Sequence, residues 1–130
     1  MSAPGDAPPG HRVFATSTCG TCRKARRWLE QQGIAVTWLD IAATPPSPAD
    51  LRRALEQLGG RGRLFNTSGR SYRALGAAAV KAMDDGQALA ALAADGMLIK
   101  RPFLITADGA ITTGFRQEEW ERLLGRVASP

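Results

Sequence analysis

Cys19 and Cys22, the only two cysteines, close a Cys-Gly-Thr-Cys segment between a short apolar run, Val13-Phe14-Ala15, and an amphipathic helical pattern. A chain with a thiol pair at a strand-to-helix junction builds its scaffold outward from there. Beyond the loop, Cys22, Ala25, Trp28 and Leu29 recur at helical spacing, while Arg23, Lys24, Arg26, Arg27 and Glu30 take the other face. Gly33 stands where a left-handed cap would end this helix. Ile34 to Asp40 then alternates, with β-branched and aromatic residues, as a second strand. Strand, helix and strand make a βαβ unit, whose strands should be parallel and whose crossover should be right-handed.

Thr44-Pro45-Pro46 breaks the chain, and a helix restarts with Ser47 as N-cap and Pro48 at the first helical position. Leu51, Ala54, Leu55 and Leu58 form its apolar stripe, and Gly59-Gly60 ends it. Arg61 to Arg73 is loop-like and holds the turn former Asn66-Thr67-Ser68-Gly69. One helix is expected over Tyr72 to Met83, and another from Asp85, as N-cap, to Asp95 before Gly96. Pro102 excludes helix before it. Phe103 to Thr106 and Ala110 to Thr113 flank Asp108-Gly109 as a hairpin, and a last helix runs from Gln117 to Val127 on Trp120, Leu123, Leu124 and Val127. The predicted order is β-α-β, a block of three helices, then β-β-α. That is the α/β thioredoxin-like architecture, a four-stranded mixed sheet with an enlarged helical insertion over about 47–96.

Residues 1–10, rich in Pro, Gly and Ala, read as a flexible tail, and 11–130 as a single domain. No run approaches the roughly 18 apolar residues of a membrane span, and no apolar core of a secretory signal is seen, so a soluble, cytoplasmic and monomeric protein is expected. In that compartment two cysteines point to redox chemistry or catalysis rather than a structural bridge. The net charge of +5 suits an anion or an acidic partner. The arginines are dispersed except for Arg23, Lys24, Arg26 and Arg27, and with no aromatic interleaving or helix-turn-helix pattern no direct nucleic-acid binding is expected.

A cysteine at the first turn of a helix meets unpaired N–H groups and the positive end of the helix dipole, both of which favour the thiolate. Cys19 is therefore assigned as nucleophile. Cys22, about one turn further on, can reach it and is assigned as the resolving thiol. The same N–H groups form an anion seat. Gly20 allows close approach, Ser17, Thr18 and Thr21 offer hydroxyl donors, and Arg23 adds charge. The alternatives are a buried, inert pair and half of a zinc site; for the latter the only histidine, His11, read as solvated, completes no ligand set. No metal or bound cofactor is expected. Pro102 stands at the place in the order where a thioredoxin-like fold has a cis proline beside the cysteine loop, and Arg101 would then project toward Cys19.

Cys19-Gly20-Thr21-Cys22-Arg23, Thr44-Pro45-Pro46-Ser47, Leu64 to Arg73 and Ile99-Lys100-Arg101-Pro102, in that order, resemble the arsenate reductase family of the thioredoxin-like fold. That family also includes stress regulators of the Spx and MgsR type, which bind bacterial RNA polymerase. The resemblance implies that Cys19 attacks arsenate, that Arg101 binds the oxyanion beside a cis Pro102, and that Asn66 stands where the typical reductase places an arginine. Ala15 takes the place of a histidine, Cys22 that of a serine, and Arg63, Arg70 or Arg116 would supply missing charge. The implied activity is an arsenate reductase, an oxidoreductase whose Cys19–Cys22 disulfide is recycled by thioredoxin, with glutathione or glutaredoxin as the other reductant. Two further readings stay open: a redox-sensing regulator docking on the RNA polymerase α subunit, and a general thiol-disulfide reductase.

Overall fold

Alternation along the first strand sets the layers. In β1 (His11–Ala15) Val13 and Ala15 face one side of the sheet and Phe14 the other, the period of two that a strand buried on both faces requires. In a computed structural model describing residues 10–124, β1 pairs parallel with β2 (Val36–Asp40) and antiparallel with β3 (Phe103–Ile105). The strand β3 pairs antiparallel with β4 (Ile111–Thr113), giving the order β2-β1-β3-β4. This four-stranded mixed sheet with helices on both faces is the thioredoxin-like fold.

On the Val13 side lie α1 (Gly20–Gln32) and α6 (Gln117–Leu124), which bury Cys22, Ala25, Trp28, Leu29 and Trp120 against Leu104. On the Phe14 side, α2 (Pro48–Leu58) and α5 (Asp85–Ala94) pack Leu51, Ala54, Leu89 and Leu92 against Phe103, Ile105 and Ile111. Ser47 caps α2 by accepting the Asp50 N–H at 3.1 Å. Gln57 on α2 holds the hairpin: its side chain donates to Gly109 O at 3.0 Å and accepts the Ile111 N–H at 2.8 Å.

Several boundaries differ from the sequence expectation. The helix expected over Tyr72–Met83 is two, α3 (Arg70–Leu75) and α4 (Ala77–Ala82), so the insertion holds four helices rather than three. The break is at Gly76, whose φ of 95° lies outside the helical region. Arg61–Arg63 forms a 3-10 turn where a loop is expected, and β2 starts at Val36 rather than Ile34. The N-cap of α5 is Asp84, not Asp85, because Gln87 completes a reciprocal capping box with it. Nor does Gly96 end α5, which stops at Ala94; Gly96 opens a second 3-10 turn, Gly96–Leu98. His11 is not merely solvated, since its Nδ1 accepts the Ala107 N–H at 2.9 Å. Apart from Gly10, the tail expected over 1–10 lies outside the described residues, as does the last helix beyond Leu124. No helix among the described residues is long and apolar enough to cross a membrane.

Candidate active site at the cysteine loop

The loop leaves β1 at Ala15 and turns directly into α1. Cys19 is the N-cap of α1: its backbone is extended and its Sγ accepts the Cys22 N–H at 3.3 Å, the position that a serine or aspartate oxygen normally takes. Negative charge on this sulfur is thus met by a backbone donor and the positive end of a helix. Cys19 is half-buried and Cys22 is 3% exposed, so the first sulfur is the accessible one. Both are free thiols. Burial, then the hydrogen bond with Cys19, push the Cys22 thiol up to about 12. Cys22 therefore rests protonated beneath Cys19.

Ser17, Thr18, Gly20 and Thr21 are all exposed around the pair. A Cβ at Gly20 would meet only the Arg23 guanidinium, at 3.9 Å, so the glycine leaves the approach to Cys19 open. Arg23 folds back to donate to Ser17 O at 3.2 Å. Because β1 lies between β2 and β3, the loop has two flanks. On the β3 flank the Arg101–Pro102 bond is cis. Arg101 donates to Met97 O at 3.3 Å and Ile99 O at 3.2 Å, its buried Nε has no partner, and its charge acts on Cys22 against the effect of burial. On the β2 flank Cys22, Ser17 and Arg23 help line a cavity of about 430 Å³ with Arg26, Trp38 and Asp40.

Asn66 is engaged locally: its N–H bonds Leu98 O at 2.7 Å and its side chain accepts from Ser68. Its segment runs beside Ile99 and Lys100 through the Phe65–Ile99 bridge and the bond from Lys100 N–H to Leu64 O. Arg63 does not supply pocket charge, because it ties the first 3-10 turn to β4 and α6, bonding Thr113 O at 2.8 Å, Thr112 Oγ1 at 3.1 Å and Glu119 at 3.3 Å. Arg116 is exposed, two residues from Gly114, whose N–H bonds Pro102 O at 2.9 Å. Arg70 is exposed at the head of α3. Arg26, Trp38 and Asp40 were not among the expected site residues. The clue was Trp38 on the strand that follows the basic run of α1. Among the described residues no group of three or more His, Cys, Asp or Glu could hold a metal.

The fold that presents these thiols is shared with thiol-redox proteins. A possible arsenate reductase from Streptococcus mutans UA159 superposes with a TM-score of 0.79 at 34% identity, covering 87% of this chain and 98% of that one. An ArsC family related protein from Bacteroides fragilis superposes with a TM-score of 0.81 at 31% identity, covering 90% and 99%. The uncharacterized protein YusI of Bacillus subtilis (strain 168) is 43% identical over 106 residues, 79% of this chain and 88% of YusI. The ArsC family pattern itself matches residues 14–123, and this chain belongs to that family.

Proposed function

We propose that this protein is an arsenate reductase that carries both of its reacting thiols. The observation that supports this most is the vertical order of the pair, an accessible sulfur capping α1 over a buried, protonated one. Cys19, as thiolate, bonds to arsenic while one arsenate oxygen leaves as hydroxide or, taking a proton from solvent, as water. Ser17, Thr18, Gly20 and Thr21 bound the anion's seat, and Arg23, Arg101 and Asn66 are the groups assigned to hold it. Cys22 then attacks Cys19 Sγ, its proton passing to the departing oxyanion. The sulfur–arsenic bond breaks with its electron pair going to arsenic, so As(V) leaves as arsenite while two thiols become one disulfide. Thioredoxin returns the disulfide to thiols, with glutathione or glutaredoxin as the other donor of electrons. Pro102 packs beside the loop. No bound cofactor takes part.

The test is arsenate-dependent NADPH oxidation in a system coupled to thioredoxin and thioredoxin reductase. Wild type should turn over, Cys19→Ser should be inactive, and Cys22→Ser should lose turnover with thioredoxin. Full thioredoxin-coupled activity of Cys22→Ser would remove the resolving role. No arsenate-dependent turnover with any thiol donor would overturn the reductase. One observation favours a second reading, a redox-switched regulator that docks on the RNA polymerase α subunit: Arg63 is locked to Glu119, leaving one cation fewer for an oxyanion. Oxidation-dependent binding to that subunit without arsenate turnover would select it.

A further inference from the structure

The cavity on the β2 flank borders the thiol site through Ser17, Cys22 and Arg23, but its far walls, Arg26, Trp38 and Asp40, take no part in the proposed thiol chemistry. It opens between α1 and the carboxyl ends of two neighbouring parallel strands, β1 and β2, the place where open α/β sheets receive ligands because the connecting loops diverge there. Its volume of about 430 Å³ falls within the range of small-molecule sites. Its walls are chemically mixed. Arg23 and Arg26 supply positive charge, Trp38 a flat apolar face, and Asp40 a carboxylate.

Each of these groups is only partly engaged. The Arg26 guanidinium lies 4.9 Å from the centre of the Trp38 ring, and its ion pair with Glu30 is long, at 3.6 Å between groups that are both more than half exposed. Such a pair contributes little and yields readily to a better anion. One Asp40 oxygen accepts the Ala42 N–H at 3.0 Å, which fixes the carboxylate at the cavity edge. Ser17 has its carbonyl taken by Arg23 while its hydroxyl stays exposed. A simple oxyanion would satisfy the arginines and be repelled by Asp40. A simple cation would meet the reverse. The complementary ligand carries both signs around an apolar body.

We infer that this crevice is a second binding site, for a zwitterion of dipeptide size, with its carboxylate on Arg26 and Arg23, its ammonium on Asp40 and its side chain against Trp38. The site shares Arg23 with the proposed anion seat, but its binding needs no turnover of arsenate, so the two readings fail separately. Its test uses the full chain in the reduced state, 15N-labelled, titrated with glycyl-L-phenylalanine, which has no thiol. Saturable shifts are expected at the amides of Ser17, Trp38 and Asp40. Glycyl-L-phenylalaninamide and N-acetylglycyl-L-phenylalanine, each lacking one charge, should bind about tenfold more weakly, as should Arg26→Gln and Asp40→Asn with the unmodified dipeptide. Trp38→Leu should weaken all three ligands alike. No saturable shift up to about 10 mM dipeptide, a weak limit corresponding to only a few kcal/mol, would overturn the proposal. So would shifts confined to Cys19 and Arg101, or affinity untouched by all three substitutions.

Discussion

Cys22 shows how one residue's surroundings decide its part. Its thiol ordinarily titrates near 9.0 and is held up to about 12, first by burial and then by its bond to Cys19. Between those values the folded chain keeps a proton that the unfolded chain gives up. Stability linked to this thiol is therefore complete below about pH 9 and is lost as the pH rises toward 12. Urea unfolding of the reduced protein should show a midpoint falling across that window, and Cys22→Ala should flatten the fall. For the same reason iodoacetamide near pH 8 should label Cys19 and leave Cys22 unlabelled, as read by peptide mass spectrometry. The location of this pair was legible in the sequence, because residue spacing and the helix start are local properties. Which flank of the loop would open into a cavity was not, because that depends on how β2 sits beside α1.

At the scale of elements, local chemistry was legible wherever one residue decides the outcome. Ser47, Pro48 and Asp108-Gly109 marked a cap, a helix start and a hairpin. The periodic pattern over Tyr72–Met83 hid a break because Gly76 has no side chain to interrupt the pattern, although its left-handed backbone interrupts the helix. Gly96 was misread for a different reason. It serves contact rather than termination: a Cβ there would stand 1.8 Å from the Ile41 carbonyl oxygen, where the second 3-10 turn crosses the end of β2. Backbone cannot step aside as a side chain does. Gly96→Ala should therefore lower unfolding stability by about 3 kcal/mol in urea denaturation, from overpacking against a rigid neighbour.

Across the whole molecule, the clamp from Arg63 to Glu119 joins residues 56 positions apart and was invisible in the sequence, since no local pattern pairs residues so far apart. It converts an arginine that resemblance offered to the pocket into a tie between the insertion, β4 and α6. Burial alone would raise the Glu119 carboxyl, but the bonds from Arg63 and Thr112 outweigh it and hold it below its usual value. The stabilisation is present above the unfolded carboxylate's value and is lost as pH falls through the lowered folded one. Glu119→Gln should cost about 1–2 kcal/mol at pH 7 and lessen the decline of stability in acid, measured by unfolding across a pH series.

The two rims of the sheet are not equivalent. With the Gln57 amide seated on Ile111 N–H and on Gly109 O of the adjoining turn, the β4 rim already has an outward donor met by a side chain imitating a neighbouring strand. A foreign chain arriving there must first displace it, whereas β2 has no strand on its outer side among the described residues. Any lengthening of this sheet by an added strand therefore has a preferred direction, away from the hairpin and beside the crevice of Trp38 and Asp40.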